Sequence, residues 1–215
     1  LMSHEGGVAL NYYGPGTIET TLDDGTNVTV RQNTDYPRTG RIVIDVSVSN
    51  ERELSLRLRI PYWSLNTRLA VGSEEGARVT AGSYHEIRRS WKGKVSIELE
   101  LDMSLHLWAG ELACAGKASV YRGPTLLTFD RRFNDVDPVD LPELDAKQLD
   151  GRLVDADHWL PPMVLYEIDT SVGPVRLCDF GSAGEGGYPY HSWLRMRNVP
   201  RTHFSRGNPL RSARP

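Results

Sequence analysis

Three stretches of this chain alternate between apolar and polar residues, and that restricts what it can fold into. Ile42, Ile44, Val46 and Val48 are apolar, with Asp45 and Ser47 between them. Leu54, Leu56, Leu58 and Ile60 alternate with Ser55, Arg57 and Arg59. Val95, Ile97, Leu99, Leu101 and Met103 alternate with Ser96, Glu98, Glu100 and Asp102. A period of two places successive side chains on opposite faces of a strand, so each stretch has one buried and one wet face. Strands of that kind belong to antiparallel sheets.

Weaker strand signals fall at Thr17–Leu22, Val28–Gln32, Ala118–Tyr121, Leu126–Asp130, Val164–Asp169 and Val175–Phe180. Turn residues punctuate them. Asp24-Gly25 predicts a tight hairpin between Ile18–Leu22 and Val28–Val30. Thr39-Gly40, Lys92-Gly93 and Val172-Gly173-Pro174 also lie between strand candidates. Pro61 ends the Leu54–Ile60 strand because proline has no N–H to donate. No apolar stripe of helical period reaches helix length, and Leu141–Leu149 allows no more than a short helical turn. Proline-rich ends mark most of the stretch from Asp135 to Pro162 as loop. The wet faces suggest one pairing, Arg57 and Arg59 opposite Glu98 and Glu100, if those strands are neighbours.

The amphipathic strands give way near Leu105–Gly116 to longer loops and more proline. The expected fold class is therefore all-β, two antiparallel β-sandwich (jelly-roll-like) domains. The expected bounds are residues 1–108 and 109–205, with a flexible tail at 206–215 that is rich in Arg, Pro and Ser. With 215 residues, either unit is large enough to bury a core without staples. The net charge of −3 supplies no concentrated basic face, which argues against nucleic acid as a partner. No apolar run approaches the roughly 18 residues of a membrane span. Leu1-Met2-Ser3-His4-Glu5 has no basic-then-apolar signal segment and reads as an entry in the middle of a longer sequence.

Few residues suggest chemistry. Cys114 and Cys178 have no C-x-x-C spacing, so free structural thiols are expected. Asn27-Val28-Thr29 is a glycosylation sequon of a kind that arises often by chance. Asp23-Asp24 and Glu74-Glu75 each precede a turn glycine, and the acidic run from Asp135 to Asp145 lacks the spacing of a calcium loop. His4, His85, His106, His158, His191 and His203 show no i, i+2 or i, i+4 pair, so no metal site and no cofactor is expected. No nucleophile elbow or phosphate-cradling loop is present, and no helix pattern follows the glycine-rich Gly181–Gly187, which reads as a flexible surface loop. No catalytic residue is assigned.

Aromatic residues remain. The five tryptophans are Trp63, Trp91, Trp108, Trp159 and Trp193; of these Trp63 and Trp91 read as core. The segment from Gly186 to Trp193 is the best candidate for an exposed contact surface. Trp159, Tyr188, Tyr190 and Trp193 are the candidate carbohydrate-binding residues, and packing against another domain competes with sugar stacking as their role.

Several phrases resemble one family. Asn11–Thr17 resembles the N-L-Y-x-P-S segment of the β-L-arabinofuranosidase-type glycoside hydrolases, family 127. Gln32-Asn33-Thr34-Asp35-Tyr36-Pro37 with Gly40 resembles their Q-x-T-D-Y-P-x-x-G. Leu56–Trp63 resembles L-R-L-R-I-P-x-W, and Tyr121-Arg122-Gly123-Pro124 resembles x-R-G-P. Val175–Phe180 with Tyr190, Ser192, Trp193 and Leu194 resembles a distal segment of one subgroup. The resemblance implies an N-terminal (α/α)6 barrel that holds a cysteine nucleophile, an acid/base glutamate and a zinc site. No position here matches those residues. What it implies for this chain is the two C-terminal β-sandwiches, as a non-catalytic accessory fragment. The expected partners are the catalytic barrel, a second copy in a homo-oligomer, or a plant-type polysaccharide; neither nucleic acid nor a membrane is expected. The implied setting is a soluble bacterial protein, cytoplasmic or secreted with its parent enzyme.

Overall fold

The computed structural model describes residues 1–170 and 173–200. The expected tail at 206–215 lies outside the described residues. The chain is all-β and divides into two compact units, Leu1–Met103 and Ser104 onward. The strand Leu105–Ala109, in the region of the composition shift, pairs with Lys117–Arg122 and so belongs to the second unit.

The first unit contains β1 (Met2–His4), β2 (Gly7–Leu10), β3 (Gly16–Thr21), β4 (Asn27–Asn33), β5 (Arg41–Val48), β6 (Arg52–Ile60), β7 (Arg68–Val71), β8 (Ala77–Arg78), β9 (Ser83–Trp91) and β10 (Lys94–Glu100). They form a four-stranded sheet in the order β1-β2-β6-β9 and a six-stranded sheet in the order β3-β4-β5-β10-β7-β8. Every pairing is antiparallel except β2 with β6. The alternating stretches are β5, β6 and β10, and their apolar residues share one core. Leu54, Leu56, Leu58 and Ile60 come from one sheet, and Ile42, Ile44, Val46, Ile97 and Leu99 from the other. Trp91 is fully buried among them, and its Nε1–H donates to the Leu54 carbonyl at 2.8 Å.

The expected pairing of Arg57 and Arg59 with Glu98 and Glu100 does not form. β6 lies between β2 and β9, whereas β10 lies between β5 and β7 in the other sheet. Arg57 pairs instead with Glu86 on β9 at 3.5 Å, and Glu98 with Arg41 on β5 at 3.2 Å. Alternation fixes the face a residue occupies but not which strand lies beside it.

One motif glycine has a steric reason. A Cβ on Gly40 would stand 2.2 Å from the Leu101 carbonyl oxygen. The Gly40 carbonyl accepts from the Leu101 N–H at 2.9 Å, which draws the entry to β5 against the chain leaving β10.

The second unit contains β11 (Leu105–Ala109), β12 (Lys117–Arg122), β13 (Thr125–Asp130), β14 (Leu144–Asp145), β15 (Gly151–Leu153), β16 (Leu165–Thr170), β17 (Gly173–Asp179), β18 (Tyr190–His191) and β19 (Leu194–Arg197). They form one nine-stranded sheet. It branches at β12, which pairs with β11, with β13 and, through Lys117 and Ala118, with β19. The branches enclose a core of Leu107, Val120, Leu127, Phe129, Ile168 and Leu177. The long stretch from 131 to 162 holds only 3-10 turns and two short strands. Among the described residues there is no α-helix, and none is long and apolar enough to cross a membrane.

Candidate functional site

Two of the carboxylate candidates, Asp24 and Asp145, resolve into turns and ion pairs. Asp24 accepts from the Thr26 amide and pairs with Arg52; the Thr26 hydrogen bond, ahead of Arg52, holds its carboxyl below the usual range. Asp145 accepts from Asn198 and from the Lys147 amide and pairs with Arg197. Among the described residues, no three His, Cys, Asp or Glu side chains converge as metal ligands.

One end of the second unit differs from the rest of the surface. Beneath it lies a buried ionic frame. β13 ends at Asp130, whose carboxylate accepts from the Arg132 amide at 2.8 Å and caps the turn Arg131–Phe133. The Arg132 guanidinium folds back onto the same carboxylate at 2.9 Å, and both side chains are fully buried. Arg132 also donates to the carbonyls of Ser182 and Leu160, while Gly184 N–H donates to Asp130 at 2.8 Å. Asp179 accepts from Val164 N–H at 2.9 Å and from the amide and hydroxyl of Ser182. Charged hydrogen bonds of this kind are roughly twice as strong as neutral ones. They tie together two segments, near 160 and near 184, that contain little regular structure. The glycine-rich stretch expected to be a flexible loop is thus anchored by three buried charged side chains.

On this frame stand the aromatic residues. Gly184 adopts φ +73°, and a Cβ there would lie 2.6 Å from the Tyr190 ring. Only glycine meets both demands. Tyr190 meets Phe180 edge to face at 6.1 Å. Tyr188 and Leu160 both lie against Gly186, close to where a Cβ would stand. Next to Leu160, Trp159 is 77% exposed and stacks on His158 at 6.0 Å. Of the four candidates, Trp159, Tyr188 and Tyr190 come to this one end, all exposed. Trp193 does not: it is half-buried and lines a groove of about 250 Å³ with Lys117, Val139 and Leu141. Phe180 and Met163 are exposed beside the three and were not foreseen. Phe180 read as the last residue of a strand, yet β17 stops one residue before it, at Asp179.

Cys178 is fully buried behind this frame, with its Sγ 4.0 Å from Asp130. Burial, then the nearby Asp130 and Asp179, pushes its thiol up to about 12. A thiol so held is a poor nucleophile. Iodoacetamide is therefore expected to alkylate the native chain at half-buried Cys114 and to reach Cys178 only on unfolding. Peptide mass mapping checks this, and equal labelling of both in the native chain would refute it.

The arrangement offers apolar and aromatic contact area over a hydrogen-bonded base, with His158 against Trp159 and Glu185 paired to Arg132 at its margin. Comparisons with known proteins agree with the sequence motifs. Residues 7–103 match the family described as "Beta-L-arabinofuranosidase, GH127 middle domain". No curated protein matches the chain. Among solved structures, a GH127 β-L-arabinofuranosidase from Geobacillus stearothermophilus T6 is 21% identical with a TM-score of 0.77; the match covers 91% of this chain and 34% of that one. A glycoside hydrolase is 22% identical with a TM-score of 0.73, covering 89% and 36%. A GH127 β-arabinofuranosidase is 18% identical with a TM-score of 0.73, covering 89% and 35%. The chain thus spans about a third of the length of the structures it matches, and at these identities the likeness is one of fold.

Proposed function

We propose, starting from a first unit that matches the GH127 middle domain over residues 7–103, that the chain is a non-catalytic accessory part of a family-127-like glycoside hydrolase. Its role is structural: packing against a catalytic domain, completing a subunit or supporting dimerisation. The observation that carries this reading is the exposed end of the second unit. There a buried ionic frame presents Trp159, Phe180, Tyr188 and Tyr190 as one exposed aromatic surface. Exposed apolar patches on a rigid base are typical of surfaces that another domain covers.

The 77% exposure of Trp159 favours one alternative, a carbohydrate-binding module that stacks a sugar ring on the indole. Affinity electrophoresis through arabinan, xylan and pectin fragments separates the two. The structural reading predicts unretarded migration in every gel. Saturable retardation that is lost in Trp159→Ala would replace it with the binding-module reading.

A further inference from the structure

The outer edge of β9 is unpaired among the described residues, and its sequence is complementary to itself. The backbone phase is fixed by its neighbour. Ser55 N–H donates to the Gly6 carbonyl, so the amides of Leu54, Leu56 and Leu58 turn toward β9 and meet Arg89, Ile87 and His85. The amide groups of Tyr84, Glu86, Arg88 and Ser90 therefore face outward, free to bond another strand.

We propose that β9 is a homodimerisation edge: a second copy of this chain adds its own β9 antiparallel about a two-fold axis at Ile87. In that register Glu86 of each copy lies opposite Arg88 of the other, in hydrogen-bonded pairs made by the outward amides. Tyr84 lies opposite Ser90, and the two Ile87 side chains meet on the inner face. Shifting the axis to Glu86 or to Arg88 keeps the backbone phase but sets like charges opposite each other, which is unfavourable. Within one copy Glu86 already pairs with Arg57 and Arg88 with Glu53, so the cross-copy pairs extend this outer-face ion-pair row and select one register. A groove of about 520 Å³ runs along the same edge, lined by Leu69, Val71 and Ile87 with Glu74 and Glu75. It provides acidic groups near the position the partner's inward-facing Arg89 would take, opposite His85. The result joins two four-stranded sheets into one of eight strands, in a closed isologous pair.

This deepens the association role in the reading above, and it fails separately from that reading. A chain that does not dimerise at β9 leaves the accessory assignment intact, whereas hydrolytic activity would end that assignment without touching β9. The test is sedimentation of the 215-residue chain over a concentration series. Glu86→Arg alone and Arg88→Glu alone should each weaken the dimer about tenfold or more, and the double exchange should restore it to within about threefold. Both positions are exposed, so folding is expected to persist, and circular dichroism verifies it. Ile87→Cys should yield an oxidised covalent dimer, because the two-fold places residue 87 opposite itself, while Tyr84→Cys should not. A chain monomeric at every concentration, or a dimer indifferent to both charge reversals, overturns the proposal.

Discussion

Replacing Arg132 by methionine is expected to destabilise the second unit by about 3–5 kcal/mol, the cost of leaving a buried charge without its partner. Asp130 and Arg132 are both fully buried and bond to each other at 2.9 Å. Without the guanidinium, the Asp130 carboxylate keeps only the amides of Arg132 and Gly184 and the weak Cys178 thiol. The carbonyls of Leu160 and Ser182 lose the donor that holds the two segments under the aromatic end. Adding Asp130→Leu should recover part of the loss, because it removes the stranded charge but orphans two amides. Urea unfolding followed by tryptophan fluorescence, to which Trp108, Trp159 and Trp193 contribute from the second unit, measures both variants. A loss below about 1 kcal/mol for Arg132→Met would mean that the pair contributes no more than a surface ion pair.

Trp91→Ala should cost the first unit a similar amount, about 3–5 kcal/mol, for a different reason. The indole is fully buried in the single core that joins the two sheets. Truncation leaves a cavity there and strips a 2.8 Å hydrogen bond from the Leu54 carbonyl. Trp91→Phe keeps much of the volume and loses the bond, so roughly 1–2 kcal/mol is expected. Thermal or urea denaturation of the two variants gives the order. If phenylalanine cost as much as alanine, the hydrogen bond rather than packing would dominate.

The strands of the first unit were legible because their cores are written in period two. β5, β6 and β10 bury the residues that alternation selects. Which sheet each strand joins was not legible, as the exchange of Glu98 for Glu86 opposite Arg57 shows. That choice depends on how the chain crosses between sheets, and both sheets offer the same apolar period. The motif phrases pointed to the family that residues 7–103 match. The second unit was harder. Its strands are short, and its most consequential contact joins Asp130 to Arg132, two residues apart in a run that reads as an ordinary charged turn. Burial of such a pair depends on segments near 160 and 184 closing over it, which no local pattern announces. Of the four aromatic candidates, Trp159, Tyr188 and Tyr190 are exposed, while Trp193 is drawn inward beside β19, where its neighbour Leu194 is core.

The claim that the chain has an accessory rather than a catalytic role is tested most directly by hydrolysis. The purified chain, incubated with p-nitrophenyl β-L-arabinofuranoside with and without added zinc and thiol, is expected to release p-nitrophenol no faster than buffer. Release that rises in proportion to chain concentration would contradict the account.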